Sequence, residues 1–382
     1  MTVTQSKFTP SGRNTTSNIQ NLQHPLFRLV KRAILWYKLR VMTNLLATYV
    51  HHLDPILLDI PGTPIAVRWY GLAYLAGFVL GYLLLLRLSK SKLYCIEEEQ
   101  LSDFIAMQVC LIGVVCGGRL GEFFFYWLPQ HGLSGFLKDP TWVFRVWEGG
   151  MASHGGIIGV ILVALFYARR HNLSFPRVLD GLAIVAPIGL CFGRIANFIN
   201  GELYGRVCDA GSALAMKFPL SIYELPYSTY FAARLSLESA MKRPYESFFL
   251  KDDQGMLLEG EEGMLCRMCR ESETFRNTLA EYLEPRYPSQ LFEAFGEGLL
   301  LFAVLIIVRL RFKNAPAGLF AGLFGVLYAI ARVVCECFKE PDDAVWAGIT
   351  KGQWLSFAIF AAGVAFLIHA FRQLKSQKLQ KN

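Results

Sequence analysis

The segment VLDGLAIVAPIGLCFGRIANFINGELYGR, Val178 to Arg206, decides the class of fold. Val178 to Cys191 is a long apolar run, and as it ends the chain places Arg194, Asn197, Asn200, Glu202 and Arg206 within Gly193 to Arg206. Polar groups at that depth are expensive in lipid, so they point to an enclosed site for a polar, anionic partner.

The rest of the chain agrees with a membrane setting. Of 382 residues, 53% are hydrophobic and only 18% are charged, against about a quarter charged in an ordinary soluble domain. The expected fold is an all-α integral membrane protein with about seven transmembrane helices, because crossing a bilayer takes roughly 20 residues of helix. The runs are Trp69 to Leu88, Phe104 to Trp127, Gly155 to Ala168, Val178 to Ile199, Leu291 to Val308, Gly318 to Phe338 and Gly352 to Phe371, the third being short.

The net charge is +8, and its distribution orients the chain. Arg87, Lys90 and Lys92 follow the first span, Arg169, Arg170 and Arg177 the third, and Arg309, Arg311 and Lys313 the fifth. The end carries Arg372, Lys375, Lys378 and Lys381, so these alternate loops and a basic tail over 372–382 are expected in the cytoplasm. The first span then begins outside. Residues 1–52 form an N-terminal extension: Gln5 to Gln20 is rich in Ser, Thr and Asn and reads as disordered. Phe27 to Leu46 reads either as a basic amphipathic helix on a membrane surface or as sequence upstream of a true start at Met42.

Helices one to four occupy 53–206 and helices five to seven 287–371; the polar insertion between them, 207–286, is expected as an extracytoplasmic head or arm. Within it Glu259 to Glu262 reads as solvated. Cys266 and Cys269 form one C-x-x-C, too few ligands for zinc, and are read as a local disulfide or two free thiols.

This topology brings polar residues of several spans to one side. Tyr70 opens the first span, Arg119 and Glu122 lie in the outer half of the second, and His154 begins the third. Arg194, Asn197, Asn200 and Glu202 end the fourth, while Tyr328, Arg332 and Glu336 lie toward the outer end of the sixth. Arg332 and Glu336, four apart, share a helix face and taken alone read as a structural salt bridge; Tyr328, one turn earlier, extends the polar stripe. Arg119 and Glu122 read as packing groups. His154 is followed by two glycines that permit close backbone approach, which favours a functional imidazole over a merely amphipathic one. A pair of arginines suits a phosphate, whose oxygens match the guanidinium fork, and phospholipid is the phosphate ester available at that depth. Transport, sensing and chemical transformation of the lipid all remain open at this point.

The motifs themselves resemble the bacterial prolipoprotein diacylglyceryl transferase family from about Leu53 to Phe371. The resemblance runs through Arg68 to Leu72, Val146 to Met151, Ser153 to Gly156, the long Gly193 to Arg206 signature, Pro288 to Glu293 and Gly352 to Ser356, in the family's order. It implies seven helices, an outward-facing cavity in the bacterial inner membrane, and transfer of the diacylglyceryl group of phosphatidylglycerol to the lipobox cysteine of a prolipoprotein signal peptide, with release of glycerol phosphate. It calls for no cofactor, metal or nucleic acid.

The residue types fit such chemistry. His154 is the candidate proton acceptor for the thiol, with Tyr328, Glu202 and Glu336 as alternatives. Arg194 and Arg332 would stabilise charge on the leaving phosphate. Asn197 and Tyr70 would donate to the headgroup, Gly205 would belong to the phosphatidylglycerol site, and Glu202 and Glu336 would orient the arginines. Ala196 stands where the family commonly has glycine, Tyr287 where it has histidine and Lys339 where arginine is frequent; the insertion is long for the family. A flippase or a catalytically dead chaperone are the competing readings, the first opposed by the absence of a duplicated half, the second by the complete set of candidate residues.

Overall fold

The computed structural model describes residues 49–59, 66–145, 150–251, 255–340 and 349–379. The two readings of the N-terminal extension, Phe27 to Leu46 and Met42, lie outside these residues. A short antiparallel hairpin of β1 (Ile56–Asp59) and β2 (Ala66–Arg68) leads into α1 (Trp69–Lys90). There follow α2 (Glu98–Lys138), α3 (Ser153–Arg170), α4 (Phe175–Asn200), α5 (Tyr227–Met241), α6 (Glu261–Glu271), α7 (Glu273–Ala280), α8 (Ser289–Arg311), α9 (Leu319–Glu336) and α10 (Lys351–Leu379).

Six of these helices, α1, α2, α4, α8, α9 and α10, are long and apolar enough to cross a membrane. The fold is therefore that of an all-α integral membrane protein. The expected count of seven is not reached by this measure, because α3 begins with Ser153 and His154 and ends with Arg169 and Arg170, which leaves too short an apolar stretch between. At the far end, α10 runs on past Phe371 to Leu379, so much of the expected tail is helical.

Local chemistry sets the helix limits. α4 begins with Pro176 in its first turn, where the missing N–H costs nothing, and stops at Gly201, whose φ of +70° is left-handed. α9 starts after Gly318 (φ +90°), and its first N–H groups are taken by Asp180 of α4: Gly318 N, Phe320 N and Ala321 N donate to the carboxylate at 2.8, 2.9 and 2.9 Å. That buried carboxylate thus serves as the N-terminal cap of a neighbouring helix.

Helices in lipid gain little from hydrophobic contact with each other and pack through small residues. α2 and α3 meet on such a stripe: a Cβ at Gly155 would lie 2.3 Å from the Gly117 carbonyl oxygen, and one at Gly159 would lie 2.2 Å from that of Gly113. α9 and α10 approach closely at Gly325 and Gly363. A large apolar core, including Leu85, Phe104, Tyr167, Val178, Leu305 and Phe320, gathers where α1 and α8 end and α4 and α9 begin.

The insertion folds upon its own core. Leu237 of α5, Met264, Leu265 and Met268 of α6 and Phe275 and Leu279 of α7 are buried together with Tyr245 and Phe248. Here the reading of Glu259 to Glu262 as solvated is corrected for Glu259 and Glu261, while Gly260 and Glu262 are exposed as expected. Glu259 pairs with Arg267 at 2.5 Å, and Glu261 accepts from the Tyr245 hydroxyl at 2.8 Å and from that of Tyr230. A carboxylate that finds such donors is held at the edge of the core instead of in water. Cys266 and Cys269 are free thiols on α6, and burial pushes the Cys266 thiol up to about 11.

Candidate active site

The far ends of α4 and α9 and the start of α8 enclose a cluster of charge. Arg194 of α4 lies with Nε 3.2 Å from Glu293 Oε2 and Nη2 3.7 Å from Glu297 Oε2. Arg332 of α9 donates from Nη1 to Glu293 Oε1 at 2.6 Å and to Glu297 Oε1 at 3.3 Å, and its Nη2 pairs with Glu336 Oε2 at 3.0 Å. Glu293 and Glu297 are completely buried. They lie four residues apart at the junction where α8 widens over Ala294–Leu300, an irregularity frequent at functional sites.

The two arginines are held differently. Arg332 makes hydrogen bonds to both glutamates, whereas the Glu293 Oε2 and Glu297 Oε2 atoms facing Arg194 form none. Arg194 is thus an ion-pair partner whose donors are free to turn to another acceptor. Glu336 also accepts from Thr350 Oγ1 at 2.9 Å, and a Cβ at Gly352 would lie 3.0 Å from its Oε1, so glycine there gives the carboxylate room. Tyr328 lies near the cluster on the Arg332 face of α9 and stacks on Phe324 with centroids 5.5 Å apart.

A second group adjoins the first through α4, since Asn197 lies three residues beyond Arg194. Asn197 Nδ2 and Asn200 Nδ2 donate to Glu202 Oε1 at 2.8 and 3.2 Å. Tyr70 at the start of α1 lies beside Asn197 and packs against Tyr74 with ring centroids 5.2 Å apart. Gln290 of α8 donates to the Glu202 backbone oxygen at 2.6 Å, which ties this turn to the glutamate-bearing helix. The expectation that Glu202 orients an arginine is corrected: its carboxylate is engaged by two asparagines, and the arginines are instead held by Glu293, Glu297 and, for Arg332 alone, Glu336.

No hydrogen bond or ion pair among the described residues joins the remaining candidates to these two groups. His154 is the second residue of α3, half-buried and without a hydrogen-bond partner among the described residues. Gly205 is buried in backbone: its N–H donates to the Tyr287 carbonyl at 2.8 Å, and a Cβ would lie 2.5 Å from the carbonyl oxygens of both Tyr287 and Phe338. Arg119 is buried and donates to the carbonyls of Trp142, Val143, Arg145 and Gly150, which pins the loop leading to His154. Of the departures from the family pattern, Ala196 is buried within α4, Tyr287 packs edge-on against Phe338, and Lys339 is buried with its backbone oxygen accepting from Arg206 Nε at 2.9 Å.

Glu293 and Glu297 are the site residues that sequence reading missed. Two carboxylates one turn apart inside the apolar run Leu291 to Val308 were a legible signal, by the same argument from cost in lipid that singled out Arg194.

Fold and site together define a polytopic membrane protein with a network of arginine and glutamate closed among its helices. The family model described as prolipoprotein diacylglyceryl transferase matches residues 55–369, and the chain belongs to that family of transferases. Among similar proteins, the phosphatidylglycerol–prolipoprotein diacylglyceryl transferase of Bdellovibrio bacteriovorus is 40% identical over 335 residues, covering 84% of this chain and 93% of that protein. The like-named proteins of Neisseria meningitidis serogroup A and Citrobacter koseri are 36% and 35% identical, covering 81% and 87% of this chain and 93% and 98% of their own lengths.

Proposed function

We propose that this protein transfers the diacylglyceryl group of phosphatidylglycerol to the lipobox cysteine of a prolipoprotein signal peptide, the first step of lipoprotein maturation. The observation that carries the reading, beside family membership, is the pair Arg194 and Arg332 converging on one enclosed site with Arg194 short of hydrogen-bond acceptors. The protein sits in the bacterial inner membrane with this site and the head facing outward and the C-terminus in the cytoplasm, as the basic loops require.

The thiol of the incoming cysteine gives up its proton, and the thiolate sulfur attacks the glyceryl carbon that bears the phosphate ester. The carbon–sulfur bond forms as the carbon–oxygen bond breaks, and the electron pair leaves on glycerol phosphate. His154, without a hydrogen-bond partner among the described residues at the start of α3, accepts the proton directly or through water. Arg194 turns toward the phosphate as charge grows on its oxygens, while Arg332, fixed by its glutamates, supplies preorganised positive charge. Tyr70 and Asn197, side by side, orient the headgroup, and Glu202 sets the rotamers of Asn197 and Asn200. No cofactor enters any of these steps, and lipid and signal peptide are the partners.

The test is phosphatidylglycerol-dependent modification of a lipobox peptide by the purified protein, read by mass, with His154→Ala and Arg194→Ala alongside. A diacylglyceryl gain on the cysteine that is lost in both variants is the expected result. Folded wild-type protein that binds phosphatidylglycerol and produces no gain would overturn the reading in favour of a lipid-binding or flipping protein.

A further inference from the structure

One buried guanidinium outside the arginine–glutamate cluster has no part in the mechanism above. Arg286, the last residue of the insertion, is 3% exposed and lies where three segments run side by side. Gly205 N donates to the Tyr287 carbonyl at 2.8 Å and Tyr287 N to the Arg206 carbonyl at 3.1 Å, while Arg206 N donates to the Phe338 carbonyl at 2.9 Å. Each segment leads directly into the candidate site. Gly205 closely follows Glu202, Tyr287 stands just before α8 with its Glu293, and Phe338 closely follows Glu336.

The guanidinium divides its donors between head and bundle. Nη2 pairs with Glu224 at 2.6 Å and with Glu284 at 3.7 Å, both in the head. Nη1 donates to the Gly205 carbonyl at 3.2 Å and to Glu340 Oε2 at 3.1 Å, the one in the turn after α4 and the other in the segment that leaves α9. The guanidinium carbon lies 5.1 Å from the centre of the Tyr204 ring, whose hydroxyl donates to Glu224 Oε1 at 2.6 Å. The backbone of Arg286 is fixed as well, exchanging hydrogen bonds with Met216 at 2.8 and 2.9 Å.

Anchoring the head requires Nη2 alone. Nη1 instead joins two bundle segments, and a planar guanidinium fixes its acceptors in direction as well as distance. We infer that Arg286 is a positioning residue for the transfer: it holds the turn that carries Glu202 against the outer end of α9, so that Asn197 and Arg332 address the same headgroup. The inference rests on the proposed function for its chemistry, and Arg286 itself touches no substrate. The scale is sufficient to matter, since a misplacement of about 1 Å can cost about 10²-fold in rate.

The test sets Arg286→Gln, Arg286→Lys, Glu340→Gln and Glu224→Gln beside the full-length wild type in detergent. Peptide modification gives kcat and the KM for phosphatidylglycerol, and amide hydrogen exchange read by mass covers 201–206 and 336–340. Arg286→Gln should lower kcat about 100-fold while KM moves far less. Arg286→Lys keeps the charge and loses the fork, so it should regain thermal stability without regaining kcat, a split that a merely structural ion pair would not produce. Glu340→Gln should reproduce part of the loss, and adding it to Arg286→Gln should slow the enzyme no further, as for two residues acting through one contact. Its carboxylate is 41% exposed, so this variant carries the test where Arg286→Gln does not fold. Glu224→Gln, which alters only the head side, should leave kcat unchanged.

Hydrogen exchange should rise over 201–206 and 336–340 in Arg286→Gln and Glu340→Gln and stay at the wild-type level in Glu224→Gln. That measurement needs no turnover, so a wild type that modifies no peptide would count against the proposed function and leave this arm to judge the positioning contact. Wild-type kcat in folded Arg286→Gln, recovery of kcat by Arg286→Lys, equal loss in Glu224→Gln and Glu340→Gln, or unchanged exchange in the two bundle-side variants would each overturn the inference.

Discussion

Arg194 and Arg332 look equivalent in sequence, and the structure predicts that they fail differently. Arg332→Met removes the partner of Glu293 at 2.6 Å, of Glu297 at 3.3 Å and of Glu336 at 3.0 Å, leaving two wholly buried carboxylates with Arg194 as their remaining cation. Stranding one side of a buried ion pair costs about 3–5 kcal/mol. Arg194→Met removes contacts at 3.2 and 3.7 Å that carry no hydrogen bond on the glutamate side, and Arg332 still donates a hydrogen bond to each of the two carboxylates. Its cost should stay near about 1 kcal/mol. Each variant should lose roughly 10²–10³-fold in turnover if both guanidinium groups stabilise the leaving phosphate. Thermal unfolding in detergent, set beside peptide modification rates, separates the two quantities. Equal loss of stability would refute the assigned division of contacts, and full turnover by a folded Arg194→Met would refute its role at the phosphate.

Other positions extend the test. Asp180→Ala deprives Gly318, Phe320 and Ala321 of their acceptor and should lower stability by about 2 kcal/mol, the upper range for a lost helix cap, measurable as a lower Tm. Gly159→Ala, whose Cβ would meet the Gly113 carbonyl oxygen at 2.2 Å, should separate α2 from α3 and reduce both Tm and turnover, whereas Gly189→Ala, with nothing within 4 Å, should be close to neutral. His51 is buried against Phe198 and Phe218 and burial lowers its pKa from 6.5 to about 4, so it is neutral in the fold and the unfolded chain binds the extra proton between those values. Its contribution is therefore complete above about pH 6.5 and lost as pH falls toward about 4, by up to about 3 kcal/mol. His51→Phe should flatten that dependence in unfolding measurements made across the interval.

The spans, though not their limits, were legible because transfer into lipid is a property of each residue summed along a run. That sum identified α1, α2, α4, α8, α9 and α10, and it marked α3 as short for the reason found, polar residues at both ends. The same cost singled out Arg194 and Arg332, and the spacing of Arg332 and Glu336 foretold the pair at 3.0 Å. Glu261 was misread because its partners, Tyr230 and Tyr245, become neighbours only when α5 and α6 fold together, and Glu259 because Arg267 turns back to it only once α6 has formed.

By itself, then, the sequence determined the membrane class, the helices, the family and the residues too polar to face lipid. Which charge neutralises which was decided by tertiary structure alone. Glu202 was assigned to an arginine and is held by Asn197 and Asn200, while Glu293 and Glu297 hold Arg332 from 39 and 35 residues away along the chain. Hydropathy is local and survives reading in one dimension. Pairing depends on how each helix is rotated about its axis and how closely glycines let its neighbours approach, and those quantities exist only once the bundle has packed.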